Sequence, residues 1–251
     1  MAKVALVTGG AKRIGRAISL RLGRAGYAVA IHGRGPSEEA EALRVELTAN
    51  GGLAAIVTGD LADPAAVDRL IPQAREALGP VKLLVNNASV FLPDDVRRLD
   101  LATWERHFAV NLRAPTFLAA VFAAQVPPEA EGAVVNILDQ RVWRPTPQFF
   151  SYTLTKAALH TATKTMAQAL APRIRVNAVG PGPTLMSMRQ TPEDFARQVA
   201  ALPLGTGPTP DDIAAAVLML ANARTVTGQM IAPDSGQHLA WETPDVVGVS
   251  E

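Results

Sequence analysis

Short apolar runs alternate with helical segments along almost the whole 251-residue chain, and this alternation constrains the fold more than any other feature. Seven runs have the length and composition of buried strands, at residues 4–8, 28–32, 54–58, 83–86, 133–138, 174–178 and 229–232. Six segments between them have helical periodicity or composition, at residues 13–24, 37–50, 64–78, 101–125, 152–170 and 211–221. Strand–helix–strand repetition predicts a parallel sheet covered by helices on both faces, because parallel neighbours need crossover connections.

The same pattern predicts a single domain over residues 1–251. No internal repeat, linker or low-complexity segment interrupts it, and 48% of the residues are hydrophobic, which is enough for a sizeable core. The proline-containing stretch from 181 to 210 is the one long region that we interpret as irregular. Such stretches in compact α/β domains often cover a ligand, so we expect a substrate lid at about 183–210. Residues 238–251 are expected to form an extended C-terminal tail.

Composition argues against several classes of function. The net charge of +1 gives no electrostatic reason to expect a nucleic acid or an anionic membrane as partner. The sequence has no cysteine, which excludes thiolate chemistry, and its four histidines are scattered without metal-ligand spacing, so no metal is expected. A secretory signal pattern is lacking, and apolar runs such as 118–124 are far shorter than the ~20 residues that span a bilayer. We therefore expect a cytoplasmic protein that acts on a small molecule.

Three residues near the fifth predicted strand indicate proton transfer. Tyr152 and Lys156 lie four residues apart, on one face of a helix, and Asp139 ends the strand before them. A phenol with a pKa near ~10 is a poor acid or base at neutral pH until a nearby cation favours its phenolate, and Lys156 can supply that cation. Tyrosine and lysine at this spacing are also ordinary helix-surface residues, so the pair alone is a weak signal.

A glycine-rich turn follows the first predicted strand and opens the first helix. Gly9, Gly10 and Gly15 would let the backbone approach a pyrophosphate, and the helix N-terminus would offer it free N–H groups. The alternative is a strand-to-helix turn without a ligand. The position after the first strand favours dinucleotide binding, although the spacing differs from the GxGxxG of the long Rossmann dehydrogenases.

Six motifs occur in an order that carries a family resemblance. They are TGGAKRIG at 8–15, Asp60-Leu61, Asn86-Asn87-Ala88, Asn111, Tyr152 with Lys156, and RVNAVGPG at 175–182 followed by Thr184. Over roughly residues 3–236 the chain resembles the short-chain dehydrogenase/reductase family, with Arg13 at the family's middle glycine and Ser89 at the glycine of its NNAG turn. The resemblance implies a Rossmann-type, doubly wound parallel α/β sheet of about seven strands in the order 3-2-1-4-5-6-7.

The resemblance also implies roles for individual residues. Tyr152 would be the acid, Lys156 would hold the nicotinamide ribose, and Asn111 would anchor a proton-relay water. The residues implied to bind the cofactor are Gly9, Lys12, Arg13, Ile14, Gly15, His32, Arg34, Asp60, Leu61, Asn87, Ala88, Lys156, Pro181, Gly182 and Thr184. Members of the family are usually tetramers of 222 symmetry, so a homotetramer is expected.

The end of the second predicted strand indicates NADPH as the cofactor. No acidic residue occupies His32-Gly33-Arg34, where an acid would hold a free 2′-hydroxyl and repel a 2′-phosphate. Arg34, helped by Lys12 or Arg13, suits bidentate recognition of that phosphate. The alternative is that Arg34 is a solvated loop cation.

The substrate end departs from the family pattern at Asp139. The family's usual residue there, thirteen positions before the tyrosine, is a serine whose hydroxyl suits a ketone or alcohol, whereas an aspartate suits a protonated ring nitrogen. With Arg13, Ser89 and Phe91, Asp139 makes the chain similar to the pteridine reductases of this family. In that branch the arginine reaches cofactor phosphate and pterin, the serine bonds near the substrate and the phenylalanine stacks on the pterin. These four residues and Tyr152 are therefore expected to bind substrate, the alternatives being a structural or degenerate Asp139 and a core Phe91.

The expected activity is NADPH-dependent reduction of a pterin-type C=N bond, from dihydropterin to tetrahydropterin. Hydride would go to carbon, and Tyr152, or water organised by Arg13 and Asp139, would protonate nitrogen. The second hypothesis is a carbonyl reductase acting on a ketone, sugar or 3-oxoacyl thioester. A hypothesis of another class is a non-catalytic NADP(H)-binding sensor, which the joint presence of Asn111, Tyr152 and Lys156 disfavours because a binding module needs no proton relay.

Overall fold

The computed structural model describes residues 3–49, 51–243 and 246–247. Its strands are β1 Lys3–Val7, β2 Tyr27–Gly33, β3 Ala54–Thr58, β4 Val81–Asn86, β5 Gly132–Ile137, β6 Ile174–Val179 and β7 Met230–Ile231. Its α-helices are α1 Arg13–Arg24, α2 Glu38–Ala49, α3 Pro64–Leu78, α4 Leu101–Phe108, α5 Ala114–Gln125, α6 Phe150–Leu170, α7 Pro192–Ala200 and α8 Pro210–Asn222.

All seven strands pair in parallel in the order β3-β2-β1-β4-β5-β6-β7. The order reverses between β1 and β4, because the chain first builds the sheet outward to β3 and then returns to extend the other side. The doubly wound, Rossmann-type single domain expected from the sequence is confirmed. Ligands of open α/β sheets bind at the carboxyl ends of the strands, beside such a reversal.

Two apolar layers flank the sheet because neighbouring residues of each strand face opposite sides. Leu6 of β1 packs in a cluster with residues of α3 and α5, and its neighbour Val7 packs in a cluster with residues of α1, α2 and α8. Both side chains are fully buried. The central strands are therefore apolar on both faces, which explains why they occur in the sequence as nearly continuous hydrophobic runs.

The segment predicted as one helix over residues 101–125 is divided in the structure. A π-helical turn, Ala109–Arg113, separates α4 from α5 and contains Asn111. By length and composition alone Leu101–Gln125 could cross a membrane, but half of its apolar window is buried inside the protein and α5 packs against α3. It is a core element of the α/β domain.

The interpretation of residues 181–210 as irregular is wrong for part of that stretch, because α7 forms at Pro192–Ala200. The Thr191 side chain accepts a hydrogen bond from the backbone N–H of Asp194, Pro192 occupies the first helical turn, and Glu193 is acidic there. These are the usual signals of a helix start. The helix has only nine residues and no fully buried side chain, so its apolar periodicity was too short to recognise.

The predicted C-terminal tail can be compared only in part. Residues Gln237–Leu239 form a short 3-10 turn, and His238 is held by Asp234 through its backbone N–H and its imidazole Nδ1, at 2.9 and 2.7 Å. Residues 240–243 have no regular secondary structure. Residues 244, 245 and 248–251 of the predicted tail, and Asn50 at the end of the second predicted helix, lie outside the described residues.

Candidate active site

A cleft of about 630 Å³ opens at the carboxyl ends of the central strands. Its walls include the glycine turn after β1, the segment after β4, the end of β5, the start of α6 and the segment between β6 and α7. It brings together six residues from four separate parts of the sequence, which are Arg13, Ser89, Phe91, Asp139, Tyr152 and Lys156. The sequence had placed all six at one functional site.

The glycine turn is packed so closely that only glycine fits at two of its positions. Gly9 has a φ of +60°, in the left-handed region that favours glycine, and a Cβ on Gly15 would lie 2.1 Å from the carbonyl oxygen of Gly9. Within the described chain, no side-chain cap bonds the start of α1. A helix start of this kind can donate its first N–H groups to an anion.

Arg13 adopts the left-handed conformation with a φ of +51°. A glycine meets this requirement without strain, which explains the middle glycine of the family signature; an arginine accepts a cost of roughly 1–2 kcal/mol. Its guanidinium Nη2 donates to the carbonyl oxygens of Leu185 and Met186, at 3.3 and 3.1 Å. Arg13 thus connects the glycine turn to the segment that we expect to act as a lid.

Thr8 and Asn87 hold the ends of β1 and β4 together. The Thr8 hydroxyl accepts from the backbone N–H groups of Asn87 and Ala88, at 2.9 and 3.0 Å. The Asn87 amide donates to the carbonyl oxygens of Thr8 and Gly9, at 2.8 and 3.1 Å. The predicted cofactor residues of the first and fourth strand ends therefore form one rigid floor.

His32 is almost fully buried and contacts the glycine turn. Its Nδ1 accepts from the Gly9 N–H at 3.2 Å, so Nε2 carries the proton and donates to the carbonyl oxygen of Gly59 at 2.9 Å. Burial lowers the pKa of His32 below its ordinary value, which keeps the ring neutral. Both ring nitrogens are occupied by backbone groups, so His32 supports the turn instead of reaching outward.

Of the cations expected near a 2′-phosphate, Arg34 and Lys12 are both exposed. The Arg34 side chain is 75% exposed, and its Nε lies 3.9 Å from Oδ2 of Asp60. Lys12 pairs with Glu39 on the surface. Asp60 also accepts hydrogen bonds from the Arg106 guanidinium at 3.3 Å and from the backbone N–H of Ala62 at 2.9 Å. The bond from Ala62, and after it the bond from Arg106, lowers the pKa of Asp60.

Tyr152 and Asp139 are joined by a direct hydrogen bond. The Tyr152 hydroxyl donates to Oδ2 of Asp139 at 2.9 Å, and the backbone N–H of Arg141 donates to Oδ1 at 2.8 Å. Burial raises the pKa of Asp139, and Arg141 opposes this only in part. Burial and the nearby carboxylate raise the pKa of Tyr152 well above 10. The pair therefore favours its protonated forms.

Lys156 lies one helical turn from Tyr152 and is almost fully buried. Its ammonium donates to the carbonyl oxygen of Ile137 at 2.8 Å and lies 5.6 Å from the centre of the Tyr152 ring. Burial lowers the pKa of Lys156 to about 8. The expectation that this cation would favour a tyrosine phenolate is not met, because burial and Asp139 dominate the pKa of Tyr152 and raise it.

Asn111 anchors the segment that carries Ser89 and Phe91. From its π-helical turn, its amide pairs with both the N–H and the carbonyl oxygen of Val90, each at 2.8 Å, and its oxygen accepts from the Ser89 hydroxyl at 3.2 Å. The side chain is fully buried. Its hydrogen bonds thus fix the substrate side of the cleft, and a water-anchoring role would have to use other atoms of this turn.

Phe91 stacks on Phe149, which the sequence analysis did not identify. The ring centres are 4.1 Å apart with the planes 15° from parallel, and the Tyr152 ring meets Phe91 edge-on at 4.6 Å. Phe149 immediately precedes α6 and has a φ of +56°. The aromatic pair at 149–150 before the tyrosine was the available signal, but only the structure shows which ring faces the cleft.

Two further residues that the sequence analysis missed are the arginines beside this aromatic pair. The guanidinium carbons of Arg141 and Arg189 lie 5.7 and 5.2 Å from the centre of the Phe91 ring. Arg189 also donates from Nη2 to the carbonyl oxygen of Phe91 at 2.8 Å. Arg141 comes only two residues after Asp139, which was the one sequence signal for its position.

A buried polar chain supports the start of α6 from behind. His107 accepts from the Leu92 N–H through Nε2 at 3.0 Å, so Nδ1 donates to the Ser151 hydroxyl at 2.6 Å, and that hydroxyl donates to the Asp94 carboxylate. The carboxylate also accepts from the Ser151 N–H at 3.1 Å. This chain fixes Tyr152 relative to the segment between β4 and α4.

The predicted carboxamide side of the cofactor site lies after β6. The Thr184 hydroxyl donates to the carbonyl oxygen of Gly182 at 3.0 Å, and a Cβ on Gly182 would lie 2.7 Å from the Cα of Asp234. Pro181, Gly182 and Thr184 all line the cleft. Among the described residues, no group of three or more potential metal ligands occurs.

Fold and site together define a dinucleotide-dependent oxidoreductase of the short-chain class, and the chain belongs to the short-chain dehydrogenase/reductase family. The family described as short chain dehydrogenase matches residues 3–196. The resemblance predicted from the sequence is thereby confirmed.

Among solved structures, the chain is similar to FolM alternative dihydrofolate reductase 1 from Brucella canis complexed with NADP, with 53% identity, a TM-score of 0.94 and coverage of 98% of this chain and 97% of that one. The same protein from Brucella suis, also with NADP, gives 53% identity, a TM-score of 0.95 and 98% coverage of both chains. Among curated proteins, a 3-oxoacyl-(acyl-carrier-protein) reductase FabG from Staphylococcus aureus strain N315 is 32% identical over 244 residues, 95% of this chain and 99% of the relative.

Proposed function

We propose that this protein is an NADPH-dependent reductase that converts a dihydropterin to a tetrahydropterin. The observation that carries the proposal is the hydrogen bond from Tyr152 to Asp139 at 2.9 Å, in a cleft whose wall contains Phe91. A carboxyl group of raised pKa beside a phenol can supply a proton to a ring nitrogen. The 53% identity to two FolM alternative dihydrofolate reductases supports the same substrate class.

The described residues fit the cofactor. The uncapped start of α1 and the closely packed glycines can offer N–H groups to a pyrophosphate. Arg34, directly after β2, is exposed and able to meet a 2′-phosphate. Lys156 reaches the cleft beside Ile137, where it can hold the nicotinamide ribose. When bound, NADPH supplies a hydride to the carbon of the C=N bond and leaves as NADP⁺.

The nitrogen of the C=N bond then needs one proton, and the Tyr152–Asp139 pair can provide it. If Tyr152 gave its proton while Asp139 was ionised, two negative charges would stand side by side, which is costly in a buried site. With Asp139 protonated on Oδ2, the 2.9 Å hydrogen bond reverses and Asp139 donates to Tyr152. The Asp139 proton then moves to the Tyr152 oxygen as Tyr152 gives its own proton to the nitrogen, and the pair ends with a single negative charge. Burial favours this protonated starting state because it raises both pKa values.

Positioning is the second contribution of these residues. The Phe91–Phe149 stack offers an aromatic wall for a flat heterocycle, and offset stacking contributes about 0.5–1.5 kcal/mol beyond the buried area. Asn111 holds the backbone just before Phe91, and the Asp94–Ser151–His107 chain holds the start of α6. Fixed geometry of this kind lowers the entropic part of the barrier to hydride transfer.

A parallel assay tests the proposal. NADPH oxidation is measured with a dihydropterin, a 3-oxoacyl thioester and a diketone at equal concentrations. We expect the dihydropterin to be reduced with the highest kcat/KM. Reduction of the thioester without reduction of any dihydropterin would refute the proposal.

The second candidate function is a 3-oxoacyl reductase. The 32% identity to FabG over 95% of the chain favours it. It requires Asp139 to face a developing alkoxide, which an ionised carboxylate would repel. We therefore place it second, and the thioester arm of the assay tests it.

We also propose that the protein self-associates as a homotetramer. Leu101 of α4 and Phe117 of α5 expose 73% and 55% of their surfaces, which gives these helices apolar area for a symmetry mate. Light scattering at micromolar concentration is the measurement, and a monomeric mass would contradict the proposal.

A further inference from the structure

The charges of the cleft are unbalanced. Among the described residues that line it, Arg13, Arg141, Lys156 and Arg189 are cationic and only Asp139 is acidic. Burial raises the pKa of that one acid, which further reduces its negative charge. The cleft is therefore suited to a ligand that carries more negative charge than the protein supplies.

Two of the four cations already have partners near the cofactor and the reacting centre. Arg13 extends from the glycine turn to the carbonyl groups of Leu185 and Met186, and Lys156 donates to Ile137. The guanidiniums of Arg141 and Arg189 both lie beside the aromatic pair.

The distances place these two guanidiniums at the edge of the stack. Arg141 lies 5.7 and 5.1 Å from the centres of Phe91 and Phe149, and Arg189 lies 5.2 and 5.5 Å from the same centres. A group above one outer ring face would be much closer to one centre than to the other. Nearly equal distances mean that each guanidinium lies beside the edges of both rings and does not cover the outer face of either ring.

Most hydrogen-bond donors of these arginines remain available. Arg141 donates to the Thr146 hydroxyl at 3.3 Å and Arg189 to the carbonyl oxygen of Phe91 at 2.8 Å. Each guanidinium has five N–H donors. Within the part of the chain that the structure describes, neither forms an ion pair with a carboxylate, whereas Arg197 of α7 pairs with Asp194.

The cofactor's 2′-phosphate cannot explain this second cationic region. The expected phosphate residues Lys12 and Arg34 follow β1 and β2, whereas Arg141 follows β5. In the observed strand order β2 and β5 are three strand spacings apart, roughly 14 Å. The arginines lie beside Phe91 and Tyr152, where the substrate and not the adenine end of the cofactor is expected.

We propose that Arg141 and Arg189 bind the anionic end of the substrate, and that the preferred substrate is a dihydropterin whose side chain carries carboxylates and not a neutral polyol. This inference rests on the proposed function and adds the chemical class of the side chain. The heterocycle packs against the aromatic pair, and its tail leaves the cleft between the two guanidiniums. Planar guanidinium groups suit carboxylates because they can donate two parallel hydrogen bonds.

The test compares two substrates that share the ring and differ in the tail. Dihydrofolate carries carboxylates, and dihydrobiopterin carries a neutral side chain. Steady-state kinetics at saturating NADPH give the ratio of their kcat/KM values for the wild type, Arg141→Gln, Arg189→Gln and Arg189→Lys. Arg197→Gln is the matched control, because Arg197 lies in α7, eight residues after Arg189, and does not line the cleft.

We expect the wild type to favour dihydrofolate and each Gln variant to lower the ratio at least tenfold, equivalent to about 1.4 kcal/mol. Arg189→Lys should restore part of the ratio because it retains the charge. Raising the ionic strength should increase the KM for dihydrofolate more than that for dihydrobiopterin, since exposed charges are screened. The control should keep the wild-type ratio.

The outcomes separate this inference from the proposed function. If dihydrobiopterin is reduced but neither Gln variant changes the ratio, or if Arg197→Gln changes it equally, the tail assignment is wrong and the proposed function stands. If no dihydropterin is reduced with NADPH, the proposed function fails and the tail assignment falls with it.

Discussion

Replacing Tyr152 by phenylalanine should abolish most of the turnover while leaving the fold and the cofactor site in place. The substitution removes one oxygen atom and keeps the ring, so the edge-on contact with Phe91 at 4.6 Å and the contact with Lys156 at 5.6 Å are retained. What is lost is the 2.9 Å hydrogen bond to Asp139 and the proton that it positions.

The two losses differ in size. One hydrogen bond contributes about 1 kcal/mol to stability, which shifts the melting temperature of a domain of this size by about 2–4 °C. Loss of a positioned proton donor slows a reaction by roughly 10²-fold or more, about 2.7 kcal/mol in the activation free energy. The loss in rate should therefore exceed the loss in stability. A large fall in turnover with only a small fall in melting temperature would show that misfolding is not the cause of the lost activity.

The assay is NADPH oxidation at saturating dihydropterin, with the NADPH dissociation constant from a fluorescence titration and the melting temperature from calorimetry. Asp139→Asn is made alone and together with Tyr152→Phe. If the pair acts as one unit, the double variant should be scarcely slower than Tyr152→Phe alone. A phenylalanine variant with wild-type turnover, or two fully additive losses, would refute the proton route through this pair.

Three further predictions follow from other parts of the site. Because Asp139 must start protonated and Lys156 has a pKa of about 8, kcat should fall as the pH rises through both pKa values; a kcat that rises over that range would contradict this. Gly15→Ala would place a Cβ 2.1 Å from the Gly9 carbonyl oxygen, so NADPH affinity should drop at least tenfold and thermal unfolding should show a loss of stability of about 1–3 kcal/mol. Gly35→Ala is the control, because a Cβ there meets open space, and it should unfold like the wild type. Equal behaviour of the two variants would refute the packing argument. NADPH should bind at least tenfold tighter than NADH, about 1.4 kcal/mol, and Arg34→Ala should remove most of that difference in a fluorescence titration; equal wild-type affinities would exclude the role of Arg34.

The sheet was predictable because each central strand is buried on both faces and therefore appears in the sequence as a short, continuous apolar run. The structure confirms all seven predicted strands, with ends that differ by at most two residues. The π-helical turn around Asn111 was not predictable, because residues 101–125 keep a helical composition throughout. The turn is recognised only when the Asn111 amide is seen bonded to Val90, which lies 21 positions earlier.

At the cleft, the sequence identified the residues more successfully than their electrostatics. Asp139 and Tyr152 could be placed together because a strand end and the following helix meet at the carboxyl edge of a parallel sheet. The direction of the Tyr152 pKa could not be predicted, since it depends on which of two opposite charges lies nearer to the hydroxyl and on how deeply it is buried. Arg189 was missed for a related reason: it reaches the Phe91 carbonyl across 98 residues of sequence.

The way α6 begins has a consequence for the order of folding. Phe149 provides no side-chain cap, and the first N–H groups of the helix instead bond to Asp94, at 2.9 Å from Phe149 to its carbonyl oxygen and 3.1 Å from Ser151 to its carboxylate. The two segments are 57 positions apart, so the loop must close before the first turn of α6 gains these bonds. We therefore expect the turn that carries Tyr152 to form late, after β4 has joined the sheet. In hydrogen exchange, the amide groups of Phe149 and Ser151 should become protected together with the segment around Asp94, and later than the middle of the same helix.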